Sequence, residues 1–261
     1  MTVSPPQKNQ SESFGIGVQV SGLKKAYGTQ VVIDDISFAV NPGEIFIVMG
    51  PSGSGKSTIL RHVMGLEEAD SGDITVNGES IHSPTIQKQF RLAMVFQSGA
   101  LLNSLTVEEN VGLYLTEHKL LPPGKIEQVV REKLAVVGLP NAGKKLISEL
   151  SGGMKKRVAI ARALVIDPHL VLYDEPTSEL DPVTAATIGK EIRDLNQRTG
   201  ATSIVVTHDR DLAFGIGHRI AVVDRGHILQ IGTPDEIRKS SVPDVLKFIH
   251  IDFHDHSLQS P

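Results

Sequence analysis

Between residues 16 and 40 apolar positions alternate with small or polar ones. Ile16, Val18 and Val20 form one such run and Ile36, Phe38 and Val40 a second, the period of two expected of half-buried strands. Tyr27 falls between the runs in a predicted loop, and Asn41-Pro42-Gly43 predicts a turn. Ile45–Met49 is continuously apolar, a buried strand, and Ile59, Leu60, Val63 and Met64 follow at helical spacing. Ser71-Gly72-Asp73 predicts a turn, residues 74–76 a strand, and Asn77-Gly78 a hairpin turn. Residues 92–96 form another strand that ends at Gln97. From about residue 98 to 167 the period becomes helical. Thr106 with Glu109 makes a capping box. Leu121-Pro122-Pro123-Gly124 is a rigid break. Ile126, Val129, Val130, Leu134 and Val137 share one face of a helix that Gly138 closes. A third helix opens at Leu150-Ser151-Gly152-Gly153-Met154 and runs to about Ile166. Strand character returns at residues 169–173 and 203–206, and residues 219–223 pair with 228–231 as a hairpin. Asp181-Pro182 and Thr233-Pro234-Asp235-Glu236 start helices. The pattern is an α/β body carrying an inserted helical subdomain.

Composition narrows the class. The chain has 261 residues, 40% of them hydrophobic, with a net charge of -4 and no cysteine. No global basic footprint points to nucleic acid, and disulfides and thiolate metal sites are excluded. No apolar run reaches the roughly 18 residues of a membrane span. Residues 1–13 are polar, lack the apolar core of a signal peptide, and predict a disordered lead-in. A soluble intracellular protein is expected, one able to dock on a membrane protein. The tail after Lys239 carries Val245, Leu246, Phe248, Ile249, Ile251 and Phe253, a candidate for packing on the domain or on a partner subunit. His250, His254 and His256 lack the carboxylate or Cys spacing of a metal site.

The chemistry centres on Gly50, Pro51, Ser52, Gly53, Ser54, Gly55, Lys56, Ser57 and Thr58, set between a strand and a helix. This is the context of a P-loop. Glycines let successive N–H groups point at an anion, and the helix N-terminus adds positive potential at the same spot. Lys56 reaches the β- and γ-phosphates, and the Ser57 hydroxyl ligates Mg²⁺. Asp174 and Glu175 end an apolar strand, one carboxylate suited to hold Mg²⁺ through water and its neighbour to position or deprotonate a water. Gln97 at its strand end is a polar terminus or reaches the metal or the attacking water. His208 is structural or lies at the sheet edge where ligands bind. Tyr27 is a half-buried aromatic or a platform for an adenine ring. Ser151, as N-cap ahead of Gly152 and Gly153, makes a second anion-binding helix terminus, or an ordinary cap. The Lys155, Lys156 and Arg157 run reads as a solvated face. One nucleotide has a single triphosphate tail, yet two such termini lie roughly 95 residues apart. A head-to-tail pair of copies with twofold symmetry resolves this, residues 151 and 153 of one copy closing on the nucleotide held by Lys56 of the other.

Taken in order, Tyr27, the 50–58 loop, Gln97, the 150–154 motif, Asp174-Glu175, Asp181 and His208 resemble the ATP-binding cassette of ABC transporters over residues 14–238. The resemblance implies an α/β fold, a RecA-like P-loop NTPase core with an N-terminal antiparallel β-subdomain and an α-helical subdomain at about 98–167. Residues 239–261 are then a C-terminal tail. It implies ATP hydrolysis with Mg²⁺. Tyr27 stacks adenine, residues 50–58 form the Walker A loop, and Gln97 is the Q-loop residue, which ligates the metal and senses the membrane partner. Residues 150–154 are the signature motif, Asp174 ends Walker B, Glu175 is the catalytic base, Asp181 belongs to the D-loop and His208 is the switch histidine. Met154 stands where Gln is commonest, Tyr173 precedes the acids, and Glu179 replaces the usual small D-loop residue. With the 98–107 loop, Met154 and Tyr173 are similar to the cassettes of the Mla and TGD systems, which move phospholipids between membranes. The implied partners are a second copy, an integral-membrane permease and an MCE-domain lipid-binding protein. The implied location is the cytoplasmic face of the inner or plasma membrane. An importer cassette for small polar solutes and a soluble ABC ATPase are the alternatives.

Overall fold

Alternation along the N-terminal residues resolves into a four-stranded antiparallel sheet in the computed structural model, which describes residues 14–250. Its strands are β1 (Val18–Tyr27), β2 (Gln30–Val40), β4 (Ser71–Val76) and β5 (Glu79–Ser80), in the order β2-β1-β4-β5. The second sheet runs β10-β9-β3-β8-β7-β6. It comprises β3 (Ile45–Met49), β6 (Leu92–Val95), β7 (Leu170–Asp174), β8 (Thr202–Thr207), β9 (Arg219–Asp224) and β10 (His227–Gly232). All neighbours in it are parallel except β10, which pairs antiparallel at the edge. Every residue of β3, β7 and β8 is buried, as a parallel sheet covered on both faces requires.

The two faces of β3 divide the core. Phe46 and Val48 pack with the antiparallel sheet and with helix α1 (Lys56–Val63), whereas Ile45, Ile47 and Met49 pack with the later helices. Helix α2 (Ile86–Gln89) precedes β6. Helices α3 (Val107–Glu117), α4 (Pro123–Val136) and α5 (Gly152–Leu164) pack on one another between β6 and β7. Helices α6 (Pro182–Thr199) and α7 (Arg210–Ile216) follow β7 and β8, and α8 (Pro234–Arg238) and α9 (Pro243–Ile249) follow β10.

Three local expectations are corrected. Tyr27 is not in a loop but closes β1, paired with Gln30. Ser71, Gly72 and Asp73 are strand rather than turn, because Asp73 and Ser71 pair with Ser21 and Lys24 across a bulge. The Pro122-Pro123 break is a helix start. Pro122 is the N-cap and Pro123 the first helical residue of α4, where a missing N–H costs nothing. In the tail, Val245 and Ile249 bury in the core of their own chain, and Arg210 Nη1 donates to the Ile249 carbonyl at 2.6 Å. Ile251, Phe253, His254 and His256 lie outside the described residues, as does the predicted lead-in at 1–13.

Candidate functional site

Three adjacent strands, β3, β8 and β7, end side by side and deliver the loop at residue 50, His208 and the Asp174-Glu175 pair to one sheet edge. Ligands of parallel sheets bind at this carboxyl edge. The 50–58 loop leaves β3 and enters α1 through Gly55, whose φ of 95° is left-handed. A Cβ at Gly55 would also stand 2.8 Å from the Val32 carbonyl oxygen, so only glycine fits. The Lys56 ammonium donates to the carbonyls of Gly50 (2.9 Å) and Pro51 (2.8 Å) and lies 3.7 Å from Glu175 Oε1. Ser57 Oγ donates to Asp174 Oδ1 at 2.8 Å. The Thr58 hydroxyl accepts from Arg61 at 3.0 Å, while Ser54 is buried and Pro51 and Ser52 are more open.

Glu175 is buried, and its Oε2 is held on three sides. It accepts from His208 Nδ1 at 2.9 Å, from the His208 amide at 3.3 Å and from Thr207 Oγ1 at 3.3 Å. Its backbone is left-handed, with φ 45°. Burial is the leading influence on Lys56 and holds its ammonium below the ordinary lysine value, with Glu175 and Asp174 pulling the other way. Burial also pushes the Asp174 carboxyl up; the Ser57 hydrogen bond opposes this and the Glu175 charge adds to it. A hydroxyl and a carboxylate oxygen in contact at the loop are hard donors that suit Mg²⁺, which takes the rest of its shell from water and phosphate. Among the described residues no cluster of three His, Cys, Asp or Glu side chains competes as a metal centre.

Gln97 is exposed and lines a cleft of about 720 Å³ together with Ser178, Glu179, His208 and Asp209. Tyr27 is 45% exposed at the end of β1, its hydroxyl bonded to the Glu67 carboxylate and the Lys25 ammonium 5.5 Å from its ring centre. Residues 151–153 begin α5. Ser151 Oγ accepts from the Met154 amide at 3.3 Å, and the hydrogen bonds described for it do not reach the 50–58 loop. A Cβ on Gly153 would stand 2.6 Å from Thr184 Cγ2 of α6, so this glycine also has a packing reason. Asp181 caps α6, accepting from the amides of Val183 and Thr184.

Two further polar residues are buried, one of them against the loops of the site. Lys156, read from sequence as part of a solvated face, is only 8% exposed. It reaches the main chain at Gln97 and Glu175 and the hydroxyl of Ser178. Nothing in a run of three basic residues marks the middle one as buried. Asn110 is wholly buried, and its amide holds the backbone of Leu102, Leu105 and Thr106. Its place one residue after the capping box is the only sequence signal.

The ABC transporter family model matches residues 33–178. The "Probable ribonucleotide transport ATP-binding protein mkl" of Mycobacterium tuberculosis is 34% identical over 250 residues, which cover 94% of this chain and 70% of that protein. The "Fe(3+) ions import ATP-binding protein FbpC 1" of Pectobacterium atrosepticum is 39% identical over 231 residues, 88% of this chain and 64% of that protein. Among solved structures, a dimeric ATP-binding cassette in a post-hydrolysis state with ADP and Pi superposes with a TM-score of 0.75 at 30% identity, covering 83% of this chain and 98% of that one. The cassette cbiO1 from Clostridium perfringens, part of an ABC transporter complex, gives 0.78 at 28% identity, covering 90% and 95%.

Proposed function

This chain belongs to the ABC transporter family and is an ATPase, and from that premise we propose how its residues divide the work and what they move. The observation that carries the assignment is Glu175, buried between the Lys56 ammonium and the His208 ring. Lys56 and the 50–58 amides hold the phosphates of ATP, and Ser57 with Asp174 anchors the metal, with Gln97 as a further ligand from the cleft. Mg²⁺ held by Ser57 and Asp174 would supply positive charge against the phosphates. Glu175 accepts a proton from the attacking water, and His208 and Thr207 keep its carboxylate aimed. Tyr27 offers its exposed ring to the adenine.

Two copies act head to tail, residues 151–153 of each completing the site at the other's Lys56. The dimeric cassette among the structural relatives supports this reading. A mixing experiment tests it. Lys56→Ala and Ser151→Arg chains are each expected to be inactive. Their equimolar mixture, in which mixed pairs keep one intact composite site, should recover up to about a quarter of wild-type turnover. Full activity of Ser151→Arg alone contradicts a shared site.

The cassette works against an integral-membrane permease, and among the described residues no helix is long and apolar enough to cross a membrane itself. Met154, Tyr173 and the 98–107 loop favour phospholipid as cargo, with an MCE-domain protein as the further partner. Import of a small solute is the second reading, favoured by the ferric-import relative. ATPase stimulation by phospholipid vesicles, and not by ferric ion, in the complex purified through this chain supports the first; the reverse supports the second.

A further inference from the structure

We propose that Lys156 is a positioning residue for hydrolysis, an internal ammonium that fixes the catalytic loops to the helix carrying residues 151–153. An ammonium has three hydrogens and no acceptor, and here all three find partners, on two segments far apart in the chain. One goes to the Gln97 main-chain carbonyl after β6, one to the Glu175 carbonyl at 3.5 Å after β7, and one to Ser178 Oγ at 3.1 Å on the way into α6. Its neighbours behave differently. Lys155 is half-buried, and Arg157 turns to α6, where it pairs with Glu191 at 2.9 Å.

The Glu175 carbonyl is the focus of this arrangement. It accepts from the Ser178 amide at 3.1 Å and Ser178 Oγ at 2.9 Å as well as from Lys156. These donors hold a peptide whose φ of 45° a non-glycine residue seldom adopts. That backbone turn sends the Glu175 carboxylate back toward Thr207 and His208. The same ammonium grips the chain at Gln97, so the proposed base and the proposed further metal ligand are tethered to one atom. Burial of Lys156 lowers its proton affinity, while the acids at Glu179, Glu175 and Asp174 oppose that effect. Lys156 stands about 1.4 turns from Ser151, the N-cap of α5. Engagement of residues 151–153 with a partner's nucleotide therefore bears on the same helix that orders this chain's own Glu175.

The inference rests on the catalytic reading of Glu175 and Gln97 given above. Lys156→Met keeps the stem and removes all three donors; Lys156→Gln keeps a shorter amide donor. Full-length chains are assayed for ATP turnover per competent site, the sites being counted by nucleotide titration, with Glu175→Gln alongside. The expected result is a kcat at least tenfold lower for Lys156→Met at a KM for ATP within twofold of wild type, with Lys156→Gln in between. Turnover of Lys156→Met within twofold of wild type overturns the proposal. So does a loss in both variants that merely follows a fall in competent sites, the mark of a structural role. Wild-type turnover in Glu175→Gln would instead remove the catalytic reading beneath it.

Discussion

Replacing Ser57 by Ala removes the hydroxyl that donates to Asp174 at 2.8 Å. Asp174 is 9% exposed, and burial already raises its carboxyl above the ordinary carboxylate range. A hydrogen bond to a charged group contributes about 1.5–3 kcal/mol net, so Ser57→Ala should destabilise the nucleotide-free chain by about that much at pH 7.5. The dependence on pH has a definite sign. A carboxyl whose value is raised by folding costs stability as pH climbs from the unfolded value, about 3.9, to the folded one, and the full cost persists above both. Loss of the Ser57 bond raises the folded value further. The gap between variant and wild type should therefore open as pH climbs through that window, stay fully open above it and narrow below it. Urea unfolding of both proteins without nucleotide or divalent metal, in a pH series from 7.5 downward, measures this gap. A difference under about 0.5 kcal/mol at pH 7.5, too small for a charged hydrogen bond, or one constant across the series, refutes the reasoning.

Other consequences are equally direct. Asn110→Ala strands the Leu102 amide and the Leu105 carbonyl and takes a second donor from the Leu102 and Thr106 carbonyls, and should cost about 2–3 kcal/mol; a drop of under about 3 °C in the thermal midpoint contradicts the role given to Asn110. Tyr27→Ala should weaken ATP binding by about 2- to 10-fold, the worth of one stacked ring, while Tyr27→Phe, which keeps the ring and loses the hydroxyl's interactions with Glu67 and Arg61, should bind as wild type does in calorimetric titration. Equal losses in the two variants would place the importance of Tyr27 in its hydroxyl rather than its face.

What is legible in the sequence is what local order determines. The strand, the glycine-rich loop and the helix at Lys56 are contiguous, so their chemistry can be read in place. The capping boxes at Thr106 and Thr233 form as their spacing requires, because each is closed within four residues. The gathering of the site is not local. It depends on β8 lying between β3 and β7, and that order sets Glu175 against His208 across 33 residues of chain. Ser71, Gly72 and Asp73 carry turn chemistry, yet pairing with β1 overrides it. Tyr27 belongs to a strand because Gln30 pairs with it, and the sequence around it lacks a clear alternation. Lys156 is hidden for a related reason: three acceptors from two segments distant in the chain converge on it, and a basic run alone gives no sign of them.

The account's central claim is that ATP closes two copies around shared sites and that Glu175 reopens them by hydrolysis. Sedimentation of the Glu175→Gln chain in saturating Mg²⁺-ATP and in Mg²⁺-ADP, with its membrane partner present, tests this most directly. The account expects a paired cassette with ATP and separated ones with ADP; cassettes that stay unpaired at saturating ATP would contradict it.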